Sequence, residues 1–147
     1  MTMMTSNQIT NRLICLTKLD IDMWHAYGQA LDLIANPRIL QQIKEIRNDH
    51  EQHIKDLSAL VRMLGCDAVP PEFKQDFQGF LIYGITSLST VVGQKGALEA
   101  MRINELYSRR IYSEALQGDM PGDVKALLDR IHKDEVRHLK LIQEAQK

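Results

Sequence analysis

A glutamate and a histidine near the C-terminus have the residue types and the spacing of metal ligands. Glu135 and His138 are three residues apart, so a helix places both on one face. The apolar residues that share this face are Val124, Leu128, Ile131, Ile142 and Ala145. Removing a carboxylate and an imidazole from water is costly unless a partner compensates, and a metal ion is the partner that Glu-x-x-His pairs commonly bind. The spacing therefore predicts that this helix contributes to a buried metal site.

Four long helices are predicted to position these side chains. Their apolar residues recur at steps of three and four over about residues 6–35, 37–64, 95–117 and 121–145. Pro37 and Pro121 favour helix starts, whereas Gly65 and Gly118 favour helix ends. Residues 72–92 form a long, partly helical crossover between the second and third helices. Since no run alternates with a period of two, the predicted class is all-α.

The two halves of the chain repeat each other at an offset of 85 residues. The matching polar pairs are Asp20 and Glu105, Tyr27 and Tyr112, His50 and Glu135, and His53 and His138. Such a repeat indicates that a helical hairpin has been doubled into a four-helix bundle. We expect six groups to meet at the middle of the bundle and to bind metal: Asp20, His50, His53, Glu105, Glu135 and His138.

Composition and charge exclude several classes of protein. The formal net charge is −1, so no basic excess indicates nucleic-acid binding. No apolar run approaches the ~20 residues of a membrane span, and residues 1–12 lack the apolar stretch of a signal peptide. The two cysteines, Cys15 and Cys66, cannot supply a four-cysteine iron site, and free thiols fit a reducing compartment. We therefore expect a single cytoplasmic domain over residues 1–147 that binds neither nucleic acid nor membrane.

The duplicated hairpins and the Glu-x-x-His motif together resemble the ferritin-like, rubrerythrin-type superfamily of di-iron carboxylate proteins. The resemblance covers nearly the whole chain and is nearest to small bacterial ferritin-like domains. It implies an all-α, ferritin-like four-helix bundle that holds iron, with two ions as the full complement. In this superfamily the first and third helices each give a terminal carboxylate, which implies that role for Asp20 and Glu105. The resemblance further implies a bridging role for Glu135, terminal imidazole ligands at His53 and His138, and ligand-orienting roles for Tyr27 and Tyr112.

Two positions depart from the pattern of the superfamily, and one of them is Asp20, which is shorter than the usual glutamate. His50 stands where the second helix should carry the first Glu of Glu-x-x-His, so three carboxylates remain to balance two divalent ions. Because Fe(III) favours oxygen ligands, a site with more imidazole also suits zinc or another divalent transition metal. Asp49 or Glu51 could supply a replacement carboxylate, although both lie off the ligand-bearing face.

The resemblance implies a function in iron chemistry. Its activity would be oxidation of Fe(II) by dioxygen or peroxide, which makes the protein a ferroxidase-like oxidoreductase in iron handling or stress protection. Its partners would be metal ions and a small oxidant. Bundles of this size often pair through an exposed helix face, which leaves a homodimer open, but the sequence shows no decisive apolar patch. The alternative is a non-enzymatic structural or interaction bundle, with a single closed metal site or a metal-free polar network.

Overall fold

Four helices make up most of the part of the chain that the structure describes. The computed structural model describes residues 3–64, 70–71, 88 and 91–147. The helices are α1 (Ser6–Leu31), α2 (Pro37–Met63), α3 (Gly93–Ala115) and α4 (Gly122–Ala145). No strand occurs among the described residues, so the predicted all-α class is confirmed. The predicted crossover at residues 72–92 lies almost entirely outside the described residues, as does Gly65.

Local capping signals set where the first two helices begin. The backbone N–H of Gln8 donates to the Thr5 side chain, and the Gln8 side chain accepts from the backbone N–H of Thr5, which forms a capping box for α1. The Asn36 side chain accepts from the backbone of Arg38 and Ile39, and Pro37 takes the first helical position of α2. Both starts agree with the predicted bounds.

Helix α1 ends at Leu31, earlier than the predicted end near residue 35. The physical reason lies in the next helix, because Asn36 must be extended to cap α2 and has a φ of −72° and a ψ of 121°. The connection is held by Gln94, whose Oε1 accepts from the backbone N–H groups of Ala35 and Asn36 at 3.0 and 2.9 Å. Helix α3 begins at Gly93, slightly before the predicted start, and this glycine has a φ of 74° that other residues rarely adopt.

The helices pack as two hairpins that face each other. Helix α1 packs on α2 and α3 packs on α4, while α1 also contacts α3 and α2 also contacts α4. Each helix buries one apolar face, with side chains such as Leu13, Ile43, Met101 and Leu128 in a common core. The predicted four-helix bundle of two duplicated hairpins is therefore confirmed. Within the described part of the chain, no helix is long and apolar enough to cross a membrane.

Candidate metal centre

All six predicted ligand residues lie inside the bundle. His53 is 3% exposed and the other five are completely buried: Asp20, His50, Glu105, Glu135 and His138. The residues come from all four helices, as the repeat predicted. Because charged side chains are rarely fully buried unless they are paired, these polar groups need partners within the core.

Asp20 and Glu105 lie closest to the histidines. The Asp20 Oδ1 atom is 2.8 Å from His50 Nδ1 and 3.2 Å from His53 Nδ1. The Glu105 Oε1 atom is 3.0 Å from His50 Nε2 and 3.3 Å from His138 Nδ1. The His50 ring therefore links the two carboxylates, one on each of its nitrogens.

These contacts define two overlapping groups of candidate ligands. Asp20, His50 and His53 form the first group, and His50, Glu105 and His138 form the second. In each group the candidate ligand atoms lie within 4.8 Å of one another. Glu135 is in neither group, and its Oε1 instead accepts a hydrogen bond from Ser108 Oγ at 2.6 Å.

Two aspartates hold the outer nitrogens of the histidines. The His53 Nε2 atom lies 2.8 Å from Asp134 Oδ2, and the His138 Nε2 atom lies 2.8 Å from Asp49 Oδ2. An aspartate on one ring nitrogen fixes the tautomer and orientation of the ring, which is the usual arrangement behind metal-bound histidines. In both rings the Nδ1 atom consequently faces the central carboxylates.

Sequence reasoning missed these two aspartates as histidine partners. Asp49 was considered only as a replacement ligand, yet it is half-buried and contacts the outer nitrogen of His138. Asp134 occupies the same position in the second hairpin, 85 residues later. The repeat of an aspartate directly before His50 and Glu135 was the signal that could have identified them.

Hydrogen bonds from neighbouring side chains favour the ionised forms of Asp49 and Asp134. Partial burial opposes ionisation of Asp49, but hydrogen bonds from His138 and Arg137 hold the pKa of this carboxyl at about 2. The hydrogen bond from His53 likewise lowers the pKa of Asp134. Arg137 joins the pair, since its Nη2 atom lies 2.7 Å from Asp49 Oδ2 and 3.3 Å from Asp134 Oδ1.

Two tyrosines connect each hairpin to the carboxylate of the other. Tyr27 on α1 donates its hydroxyl hydrogen bond to Glu105 Oε1 at 2.6 Å. Tyr112 on α3 donates to Asp20 Oδ2. Burial, followed by the nearby carboxylates, raises the pKa of both phenols, so both remain hydrogen-bond donors.

The buried carboxylates and histidine rings of the centre shift one another's pKa values. Burial opposes ionisation of Asp20, but hydrogen bonds from His50 and His53 lower the pKa of its carboxyl to about 2. Burial also opposes protonation of His50, yet its bonds to Asp20 and Glu105 raise the pKa of the ring well above 6.5. Burial and the charges of Glu105 and Asp20 raise the pKa of Glu135 well above its ordinary value.

Three buried side-chain atoms of the centre that could ligate a metal have no hydrogen-bond partner: Glu105 Oε2, Glu135 Oε2 and His138 Nδ1. The His138 Nδ1 atom is 3.3 Å from Glu105 Oε1, but the geometry is not that of a hydrogen bond. Leaving a buried polar atom unpaired costs about 1–3 kcal/mol. Two carboxylates and an imidazole are the donor set that a divalent transition metal accepts, and Glu105 and His138 lie in one group of candidate ligands, so the residues fit a metal ion.

Comparisons with known proteins agree with this architecture. No protein-family model matches the chain, and no curated protein sequence matches it. Among solved structures, the X-ray structure of Dps from Thermosynechococcus elongatus superposes with a TM-score of 0.70 at 20% sequence identity. The match covers 96% of this chain and 91% of the Dps chain. The chain therefore has the ferritin-like four-helix-bundle fold.

Proposed function

We propose that the protein binds a divalent transition metal, foremost iron, among the buried carboxylates and histidines at the middle of the bundle. The observation that carries this proposal is that Glu105, Glu135 and His138 each have a buried atom that could ligate a metal and has no hydrogen-bond partner. A bound cation would compensate for the buried charge and for the missing hydrogen bonds at the same time.

The outer hydrogen bonds support the same conclusion. Asp49 and Asp134 each occupy the Nε2 atom of one histidine and leave the Nδ1 atom directed toward the carboxylates. Such aspartates also raise the basicity of a histidine ligand, which strengthens its bond to the metal. A metal-free polar network needs no such orientation of the rings, because a histidine could then donate from either nitrogen.

The role that follows is iron handling or protection against oxidants. Iron bound there would supply oxidation of Fe(II) by dioxygen or peroxide, and the buried carboxylates and histidines of the centre would hold it. The chain itself orients the ligands, since Tyr27 holds Glu105 and Tyr112 holds Asp20. Complete burial of these carboxylates keeps bulk water from the centre.

A second function has one specific observation in its favour. The Asp20 carboxylate is already satisfied by His50, His53 and Tyr112 without any ion. A network of this kind can fix the register of the helices in a non-enzymatic structural bundle. The two functions differ in whether the purified protein binds metal at all.

Metal analysis of the purified protein tests the proposal. We expect protein isolated without added metal to contain iron, and metal-free protein to bind Fe(II) under anaerobic conditions. The Glu105→Gln variant, which keeps the size of the side chain, should bind far less iron. The matched control is Glu114→Gln on the same helix, because Glu114 is 63% exposed and lies outside the centre. A wild-type protein that neither contains nor binds a transition metal would leave the structural bundle as the function.

A further inference from the structure

The two halves of the centre are not equivalent, although the chain repeats itself. On the α1–α2 side, both oxygens of Asp20 have partners: Oδ1 contacts His50 and His53, and Oδ2 accepts from Tyr112. Both ring nitrogens of His53 are also occupied, by Asp20 and Asp134. This half is satisfied by its own side chains.

The α3–α4 side is left incomplete. The carboxylates of Glu105 and Glu135 each have one oxygen without a hydrogen-bond partner, and His138 has a free Nδ1 atom. The other atoms of these three groups are held in place, by Tyr27 and His50 on Glu105, by Ser108 on Glu135, and by Asp49 on His138. The unpaired atoms are therefore oriented by their neighbours.

One difference between the repeats accounts for this asymmetry. His50 stands at the position that Glu135 occupies in the second hairpin. Its ring is fully buried, stacks on Tyr27 with ring centroids 5.3 Å apart, and lies 5.2 Å from the His138 ring. Carboxylate oxygens lie within 3.0 Å of both ring nitrogens, so neither nitrogen is left to ligate an ion.

We infer that the centre holds one metal ion instead of a pair, bound by Glu105, Glu135 and His138, while the His50 ring takes the place of the second ion. This inference rests on the proposed function. Glu135 lies one helical turn from His138 on α4, and the ion takes its unpaired Oε2 atom while Oε1 keeps the hydrogen bond from Ser108. Two carboxylates balance the charge of one divalent ion, and three protein ligands leave coordination positions open for a water or a small molecule.

The number of bound ions tests the inference. Metal-free wild-type protein is titrated with Mn(II), and bound metal is measured after removal of the excess. We expect one ion per chain, with the electron paramagnetic resonance spectrum of an isolated Mn(II). The His50→Glu variant restores a fourth carboxylate at the repeated position, so it should bind two ions and show the spectrum of an exchange-coupled pair. Two ions in the wild-type protein would overturn the inference and leave the proposed function intact.

Further variants locate the single ion. Glu135→Gln should weaken Mn(II) binding to the wild-type background by more than about tenfold. In the His50→Glu background, His53→Gln should return the stoichiometry from two ions to one, because His53 lies on the α1–α2 side of the centre, where the second ion would bind. Wild-type affinity that is unchanged by Glu135→Gln would place the ion elsewhere and contradict the inference. Absence of any bound ion in both the wild-type and His50→Glu proteins would overturn the proposed function itself.

Discussion

His138 on α4 is held on its outer side by Asp49 on α2, with the Nε2 and Oδ2 atoms 2.8 Å apart. The repeat reproduces this contact, since His53 Nε2 and Asp134 Oδ2 are also 2.8 Å apart. Each hairpin thus supplies the aspartate that orients the histidine of the other hairpin. Ring orientation at the centre is therefore a product of how the two hairpins pack together.

Loss of the Asp49 charge should weaken metal binding while the fold remains. We expect Asp49→Asn to reduce affinity by about 10–100-fold, because the amide still accepts from His138 but no longer raises the basicity of the ring. Competition with a chromogenic chelator measures the affinity. Asp129→Asn is the control, since Asp129 on the same helix as His138 is 51% exposed and pairs with Lys133 at the surface. Equal affinities in the two variants would contradict a role for Asp49.

Removing the Tyr112 hydroxyl should destabilise the protein. Tyr112→Phe leaves Asp20 Oδ2 buried without its donor, so the free energy of unfolding should fall by about 1–3 kcal/mol. Urea denaturation followed by circular dichroism measures the change. The control is Tyr107→Phe, at a partly buried tyrosine whose ring lies 5.0 Å from the guanidinium carbon of Arg110. A loss no larger than that of the control would show that the buried hydroxyl contributes little.

Bound metal should stabilise the folded state by mass action. At a free metal concentration one hundred times the Kd, the gain in unfolding free energy is about 2.7 kcal/mol. Thermal melts with Mn(II) and with a chelator should therefore differ for the wild-type protein and differ clearly less for Glu135→Gln. A wild-type melting temperature that does not respond to metal would argue against selective binding to the folded state.

The metal-free protein should lose stability at both ends of the pH range. The pKa of Asp20 is about 2 in the fold against an ordinary 3.8, so its contribution is present above pH 3.8 and is lost as the pH falls toward 2. The pKa values of His50 and His53 are raised, so their contribution is present below pH 6.5 and is lost as the pH rises through the folded-state values. The pKa of Glu135 is raised as well, so its contribution to stability is present below pH 4.5 and is lost as the pH rises above that value.

Urea unfolding in the presence of a chelator, repeated across the pH range, measures this profile. Because metal binding requires deprotonated ligands, added metal should offset the loss at high pH but not the loss at low pH. The difference in stability between metal-loaded and metal-free protein should therefore increase with pH. A difference that is constant between pH 5 and pH 8 would contradict ligation by these groups.

The sequence by itself determined the helices, the repeat and the burial of the six polar residues of the centre. Capping residues such as Thr5 and Asn36 act on the nearest turn, so they identify helix starts without knowledge of the fold. Burial follows from the spacing of apolar residues along one helix, which is why the completely buried positions of Asp20 and Glu135 were predictable. The early end of α1 was missed although the Asn36 cap is a local signal, and the connection that follows α1 is held at Ala35 and Asn36 by Gln94 from a distant part of the chain.

Only the tertiary structure decided which atoms meet. The Asp49–His138 and Tyr112–Asp20 contacts join helices of different hairpins, so they depend on the relative rotation and register of packed helices. A side chain at the edge of a ligand-bearing face, such as Asp49, contacts the neighbouring helix instead of the centre. The position of the His50 ring between two carboxylates has the same origin, because three helices must be packed before both of its nitrogens have partners.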